Sequence, residues 1–504
     1  MAFVQNVPFF SIMISMFSGI ISSVLPGKAA RRLNTIMISC VSVMSLWLLI
    51  WLIQSDIGSY TFMMGHFPAP WGNEIRAGVL EAGMALFFSI IMLLSMLGGR
   101  KKLFDEVELT KHNIYYILTN LLLSSLLALV YTNDMFTAYV FVEINTIAAC
   151  GLIMIRQNGR TIEAAVRYMI MSLLGSGLLL MGICMLYDLT GHLLMSNIQE
   201  AVAQIMQAGT YRIPMLITIG LMTVGLAIKS ALFPFHAWLP DAYGYSTVSS
   251  AAMLSSLVSK GYIFLLIKVF YRVIGIEYIV GSKILNILFV FGLCGMIFGS
   301  VSAIWEKDIR RMISFSSVAQ IGYIYMGFGL GTEAGMVASI FHILAHAATK
   351  SLLFISAIGL TDVSAGSRSF FDLTGAGYRN KVAGVGFTVG ALSMVGIPIF
   401  SGFVSKLLFA QSAVLDPSWK MFPTLIVLAI STVLNAIYFL KTVLRIYVPE
   451  KASVIAEKGF FNRTWDQQKL YTVTLIFFVI LNMVLGMNSQ PILELIKEGL
   501  HNFV

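Results

Sequence analysis

The chain has 504 residues, 58% of them hydrophobic and only 11% charged, with a mean hydropathy of +0.85. That balance puts most of the chain in lipid and excludes a soluble multidomain enzyme. The net charge of +9 does not point to nucleic acid, which is excluded as a partner, because the basic residues gather in short connections between apolar runs, where they read as topology signals.

Crossing the hydrocarbon core takes roughly 20 apolar residues, and about fourteen stretches qualify: 4–24, 33–53, 78–97, 113–131, 134–154, 163–187, 213–235, 247–271, 284–305, 311–330, 334–360, 382–410, 421–444 and 470–487. The first has no basic segment before it and no small-residue cleavage site after it, so it is a membrane helix and not a signal peptide. The gaps at Asn133 and at Gly331–Thr332 are the shortest, and no soluble domain fits between the spans. Cys40, Cys150, Cys184 and Cys294 are far apart, each in an apolar run, and lack metal or iron–sulfur spacing; they are expected to be small core residues.

Lys and Arg alternate in density from one connection to the next. One side collects twenty: Lys28, Arg31, Arg32, Arg100, Lys101, Lys102, Lys111, Arg156, Arg160, Lys307, Arg310, Arg311, Arg368, Arg379, Lys381, Arg445, Lys451, Lys458, Arg463 and Lys469. The other has six: Arg76, Arg212, Arg272, Lys283, Lys420 and Lys497. The bias predicts an even number of spans with both termini on the outer side of a plasma (inner) membrane.

Seven basic residues remain inside spans: Arg167, Lys229, Lys260, Lys268, Lys350, Lys406 and Lys441. Lys268 and Lys441 lie near span ends and are expected to snorkel, and Arg167 is close to an inner boundary. The deeper four, with Glu143 in the fifth span, need an offset for their desolvation and are functional candidates. Glu81, at the third span, fits either an interior or an outer-surface position.

Helix breakers accompany two of these lysines. Lys229-Ser-Ala-Leu-Phe-Pro234 ends the seventh span, and Gly396-Ile-Pro398 precedes Lys406 in the twelfth. A proline removes a donor and a glycine weakens the helix, so either segment is a packing kink or a mid-membrane break beside an ion pathway. In the eleventh span His342, His346 and Lys350 recur every four residues, which lines them along one helix face as a proton relay, the alternative for each histidine being a core residue bonded to a carbonyl. His236 and Asp241 border the first break as inward guides or loop caps. The echoes KSALF/KSLLF and LVSK/FVSK are offset by 121 and 146 residues, so they share no register.

Six segments, read in order, carry a family resemblance: Asn133–Glu143 (NDMFTAYVFVE), Glu163–Tyr168 (EAAVRY), Lys229–Asp241 (KSALFPFHAWLPD), Asp308–Tyr323 (DIRRMISFSSVAQIGY), His342–Lys350 (HILAHAATK) and Gly396–Lys406 (GIPIFSGFVSK). This chain resembles the antiporter-like membrane subunits of respiratory complex I, membrane-bound hydrogenases and Mrp-type cation/proton antiporters. The resemblance implies an all-α polytopic fold of fourteen helices with broken helices 7 and 12. It divides the chain into an N-terminal three-helix segment (1–112), two inverted five-helix translocation units (113–273 and 284–446) and a remainder of inner loop, final helix and short outer tail (447–504). It implies a proton path through Glu143, Lys229, Lys260, His342, His346, Lys350 and Lys406, with Glu143 paired to Lys229 and Lys406 closing the second half-channel. It also implies partner subunits of the same complex, homologous antiporter-like subunits among them, with lipid around them and H+ as the ion, Na+ being the alternative.

Lys406 resembles the lysine-bearing members, the Mrp D-type subunit among them. The loop Asp241-Ala-Tyr243-Gly-Tyr departs from the family's usual histidine and Ala-Pro, and the tail has no room for the long lateral helix of the most distal complex I subunit. No flavin, nicotinamide or metal motif is visible, so no cofactor is expected in this chain, and any redox chemistry falls to partners. Complex I-like, hydrogenase-linked and Mrp-type membership stay open, since all three use the same residues. A stand-alone secondary carrier and a structural membrane subunit without transport are the other function classes.

Overall fold

A computed structural model describes residues 3–55, 57–64, 67, 72–415, 417–448 and 465–503; Lys451, Lys458 and Arg463 of the inner-side count lie outside the described residues. Among the described residues twelve helices are long and apolar enough to cross a membrane, beginning with Val4–Val24 and Gly27–Ser55 and ending with Met421–Ile446 and Lys469–Met487. Ile309–Leu330 is a further helix of spanning length (22 residues). At the predicted twelfth span the chain forms two short apolar helices, Lys381–Val395 and Ser401–Leu415. The protein is an α-helical polytopic membrane protein whose one described sheet is a hairpin, Ser59–Met63 antiparallel to Glu74–Gly78.

The short gaps are real boundaries because side chains cap the next helix. Asp134 accepts from the Thr137 amide at 2.6 Å, and Thr332 accepts from the Gly335 amide at 3.1 Å. Asp134 also forms an isolated antiparallel bridge with Leu194, in which Met135 N–H donates to Leu193 O and Met195 N–H to Asn133 O. The same frame recurs five predicted spans later: Asp308 caps Ile309–Leu330 and bridges Ser369, with Ile309 N–H donating to Arg368 O and Phe370 N–H to Lys307 O. The two frames share a register that the KSALF and LVSK echoes lack.

Two spans are buried on every side, Val248–Ile274 and Glu333–Asp362. They carry Lys260, Lys268, His342, His346 and Lys350, so the ionisable residues sit on the helices farthest from lipid, where other helices can supply partners. Val248–Ile274 is irregular, with π-helical turns at Leu254–Val258 and Val269–Ile274.

The spans that carry Lys229 and Lys406 are both broken. Arg212–Lys229 ends in a left-handed Ala231 (φ 62°), with Leu232 N–H bonded to Ala227 O and Ala231 N–H to Ile228 O; a short turn, Phe235–Trp238, and the helix Leu239–Tyr245 follow. Lys381–Val395 ends in the same way at Gly396 (φ 92°), with Ile397 N–H on Leu392 O and Gly396 N–H on Ser393 O. This is the usual closure of a helix C-terminus by one left-handed residue.

Two expectations change and one open alternative is resolved. Lys268 does not snorkel: it is fully buried, and its Nζ donates to the carbonyls of Leu129 (3.3 Å), Val130 (2.8 Å) and Thr132. These are the unpaired C-terminal carbonyls of His112–Tyr131, whose partial negative charge suits an ammonium. Lys441 is exposed, as a snorkelling residue would be. Of the cysteines only Cys150 is buried; Cys40 and Cys184 face outward from the bundle. Glu81 is interior, in the first turn of Val79–Glu106, where it accepts from Gly78 N–H at 3.0 Å and pairs with Arg76 at 3.8 Å. Met195–Ala208, between the sixth and seventh predicted spans, is a helix of 14 residues.

Candidate functional site: a buried chain of ionisable residues

Lys229 is the last residue of its half-helix and is wholly buried. The Arg212–Lys229 and Gly159–Thr190 helices cross beside it at Gly175 and Gly225, where backbones touch: a Cβ on Gly225 would lie 2.6 Å from Gly175 O, and one on Gly175 would lie 3.1 Å from Lys229 Cγ. That contact fixes the lysine stem and leaves its ammonium aimed at Met135–Met154. There Nζ donates to Thr146 Oγ1 at 2.8 Å and lies 3.5 Å from Glu143 Oε1, with the Tyr262 ring 5.4 Å away. Glu143 and Thr146 are one turn apart on one helix, so the two acceptors present themselves together. Ser176 donates to the same Glu143 oxygen, and Tyr262 O–H donates to Asn145 at 3.0 Å. Glu143 has a 25% exposed side chain, and the pair thus has one dry member and one on the bundle surface.

Lys260, also fully buried, donates from Nζ to Ser255 O within the first π turn. That turn meets the central helix between the two remaining sites, since Ser256 Oγ donates to Ala347 O at 2.9 Å and lies 2.8 Å from Ser351 Oγ. On the central helix the rings of His342 and His346 stack, 6.0 Å apart and 4° from parallel, which places both on one face. Lys350 Nζ donates to Ile313 O at 2.8 Å and to Ser316 Oγ. His346 has no hydrogen-bond partner at either ring nitrogen among the described residues.

His342 leads to the last lysine. Its Nδ1 is 2.9 Å from Ser405 Oγ, next in sequence to Lys406, and its ring stacks on Tyr323 at 5.5 Å. Lys406 Nζ lies 5.7 Å from the centre of the same tyrosine ring and donates to Val395 O (2.7 Å) and Thr432 Oγ1 (3.1 Å). Val395 is the last residue of the preceding half-helix, so Lys406 rests on the negative end of a helix dipole.

Below the first break the altered loop has a definite job. Asp241 pairs with Arg167 at 2.8 Å and with Arg311, tying Leu239–Tyr245 to the sixth and tenth predicted spans; Arg167 also pairs with Glu163 at 2.6 Å. Buried Arg310 donates to Ser246 O at 2.5 Å and Tyr243 O at 3.3 Å. His236 stacks on Phe233 at 5.4 Å.

The structure therefore joins Glu143 to Lys229 directly, and His342 to His346 and Lys406 through stacked rings and Ser405. Lys260 and Lys350 belong to the same interior but hold backbone carbonyls instead of one another. Thr146, Ser176, Tyr323, Ser405 and Thr432 complete these contacts and were not singled out in the sequence. Only the one-turn spacing of Thr146 from Glu143 could have marked any of them.

Residues 132–435 match the family described as NADH:quinone oxidoreductase/Mrp antiporter, TM. The chain is 31% identical over 389 residues to NADH-quinone oxidoreductase subunit N of Desulforudis audaxviator, covering 77% of this chain and 75% of that protein. It is 30% identical to the putative antiporter subunit mnhA2 of Staphylococcus haemolyticus over 75% of its own length, and spans about half (49%) of that relative. Its fold matches a chain in the structure of the Mrp complex from Dietzia sp. DQ12-45-1b with a TM-score of 0.87, at 22% identity over 100% of this chain and 98% of that one. With its matched segment spanning both helix breaks and every residue of the buried chain, this protein belongs to the NADH:quinone oxidoreductase/Mrp antiporter membrane family.

Proposed function

We propose that this protein is a proton-translocating, antiporter-type subunit of a multi-subunit complex in the plasma membrane. The observation that carries the reading is the Glu143–Lys229 pair at 3.5 Å, where a fully buried ammonium at the end of a broken helix faces a carboxylate that is still partly accessible. An ion pair with one accessible member can be made and broken by events outside the chain, and the proton on the buried member follows.

In this reading Glu143 and Lys229 load the first half-channel, Lys260 and Lys350 hold protons between the two units, and His342 and His346 pass them toward Lys406. Because His346 has no protein partner among the described residues, transfer there runs through a mobile water. The conducted ion is H+, with Na+ as the exchange partner in an Mrp-type assembly. The two capped frames at Asp134 and Asp308 support two inverted five-helix units within 113–273 and 284–446, flanked by 1–112 and 447–504, in a fold of fourteen spans with both termini outside. In that fold an odd number of spans separates the two frames, which would put them on opposite faces. Redox chemistry, where the complex performs it, is assigned to partner subunits, and no cofactor to this chain.

The test is ion transport by the complex in sealed vesicles carrying Lys229→Ala or Glu143→Ala. Transport is expected to disappear while the complex still assembles; transport at the normal rate in either variant overturns the pathway.

A further inference from the structure

At the end of the bundle that carries the basic connections, a cavity of about 380 Å³ opens between Ile284–Trp305, Met421–Ile446 and the 369–371 segment. Lys307, Lys441 and Arg445 line it together with Glu306. Glu306 is already engaged, accepting from Arg311 Nε at 3.0 Å, and among the described residues none of the three cations is in an ion pair. Among the described residues the cavity thus presents a net positive charge. Trp305 (80% exposed) and Phe371 (81% exposed) stand at its rim, the placement that aromatic side chains take at a membrane interface.

The cavity does not end there. Lys441 and Arg445 also line a shallow groove of about 620 Å³ that continues along Met421–Ile446 past Val433, Ile437, Leu440 and Leu444. These residues recur at three- and four-residue steps, forming one stripe. From Arg445 back to Val433 a helix rises about 18 Å, close to the roughly 15 Å depth of one leaflet's hydrocarbon. A soluble anion would match the charge but leave the apolar stripe unused; a zwitterionic lipid would use the stripe but leave the cations without a counter-charge.

We propose that this cavity and groove form one site for an anionic glycerophospholipid, its phosphate among Lys307, Lys441 and Arg445 and an acyl chain along the 433–444 stripe. Basic pockets between spans on such a face bind acidic headgroups, each cation adding attraction that falls off within a Debye length. The site is independent of the proton path and stands or falls without it.

The full chain, purified in detergent, is titrated with palmitoyl-oleoyl phosphatidylglycerol or phosphatidylcholine, and retained lipid is counted by native mass spectrometry. The expected result is one phosphatidylglycerol retained with about tenfold preference over phosphatidylcholine. Lys441→Gln/Arg445→Gln should bring the preference below about twofold, while Lys441→Arg/Arg445→Lys and the remote Lys497→Gln keep it. Millimolar glycerol-1-phosphate should leave the lipid in place. Equal retention of the two lipids, a preference that survives the double glutamine variant, or displacement by glycerol-1-phosphate would each overturn the proposal, the first indicating ordinary annular lipid and the last a free-anion site.

Discussion

Replacing Glu143 by glutamine keeps the shape of the first site and removes one of its two charges. At 3.5 Å and an effective dielectric of about 20, the lost attraction is about 5 kcal/mol, and orphaning one member of a buried pair costs about 3–5 kcal/mol in proteins generally. The Thr146 hydroxyl at 2.8 Å offsets part of this, so Glu143→Gln is expected to lower the thermal midpoint of the purified protein as well as abolish transport. Removing both ions, as Glu143→Gln/Lys229→Met, should restore most of the stability, because two neutral side chains in an apolar site carry no unpaired charge. Transport should stay absent. The measurement is a thermal-shift assay in detergent beside proton uptake in vesicles. A double variant no more stable than Glu143→Gln would show that the two residues are not energetically coupled, and proton uptake by it at the normal rate would remove them from the mechanism.

Other consequences are as direct. Lys268→Met leaves the carbonyls of Leu129, Val130 and Thr132 without a donor and is expected to destabilise the protein by about 3 kcal/mol or more, seen as a lower thermal midpoint; a neutral effect would return Lys268 to a lipid-edge position. Gly225→Ala forces apart the crossing with Gly175, costing about 1–3 kcal/mol and lowering transport by moving the Lys229 stem, and normal transport and stability together would contradict the close approach. Asp241→Asn weakens the ties to Arg167 and Arg311 and should raise the labelling of a His236→Cys variant by a membrane-impermeant maleimide; unchanged labelling would show that the loop is held by other contacts. Ser405→Ala removes the hydroxyl bonded to His342 Nδ1 and should slow transport severalfold while costing about 1–3 kcal/mol of stability, checked by proton uptake and thermal shift on one preparation; normal transport would take Ser405 out of the path.

The spans were legible because an apolar run of spanning length has few alternatives in lipid: 134–154, 284–305 and 421–444 differ from Met135–Met154, Ile284–Trp305 and Met421–Ile446 by no more than two residues at either end. The breaks were legible through Pro234 and Gly396, and the Glu143–Lys229 pairing through the family resemblance. Lys268 was misjudged for a physical reason. Its partners lie 136–139 residues earlier in the chain, and distance from a span end says nothing about which neighbouring helix terminates beside a side chain. Met195–Ala208 escaped notice because its 14 residues are too few to span. The lysine motifs share no register, and the likeness of the two capped bridges lies in aspartates that hold backbone and not ions.

The π turn ahead of Lys260 has a genetic meaning. A π turn accommodates one residue more than an α-helix would, and each residue of an α-helix turns the chain by about 100°. Removing a single codon between Leu254 and Val258 would close the turn to an α-helix and leave Lys260 on nearly the same face, whereas removing one from a regular turn of the span would swing it by that angle. The π turn is therefore the one stretch ahead of this lysine where the span can lose a residue and still keep it on its side.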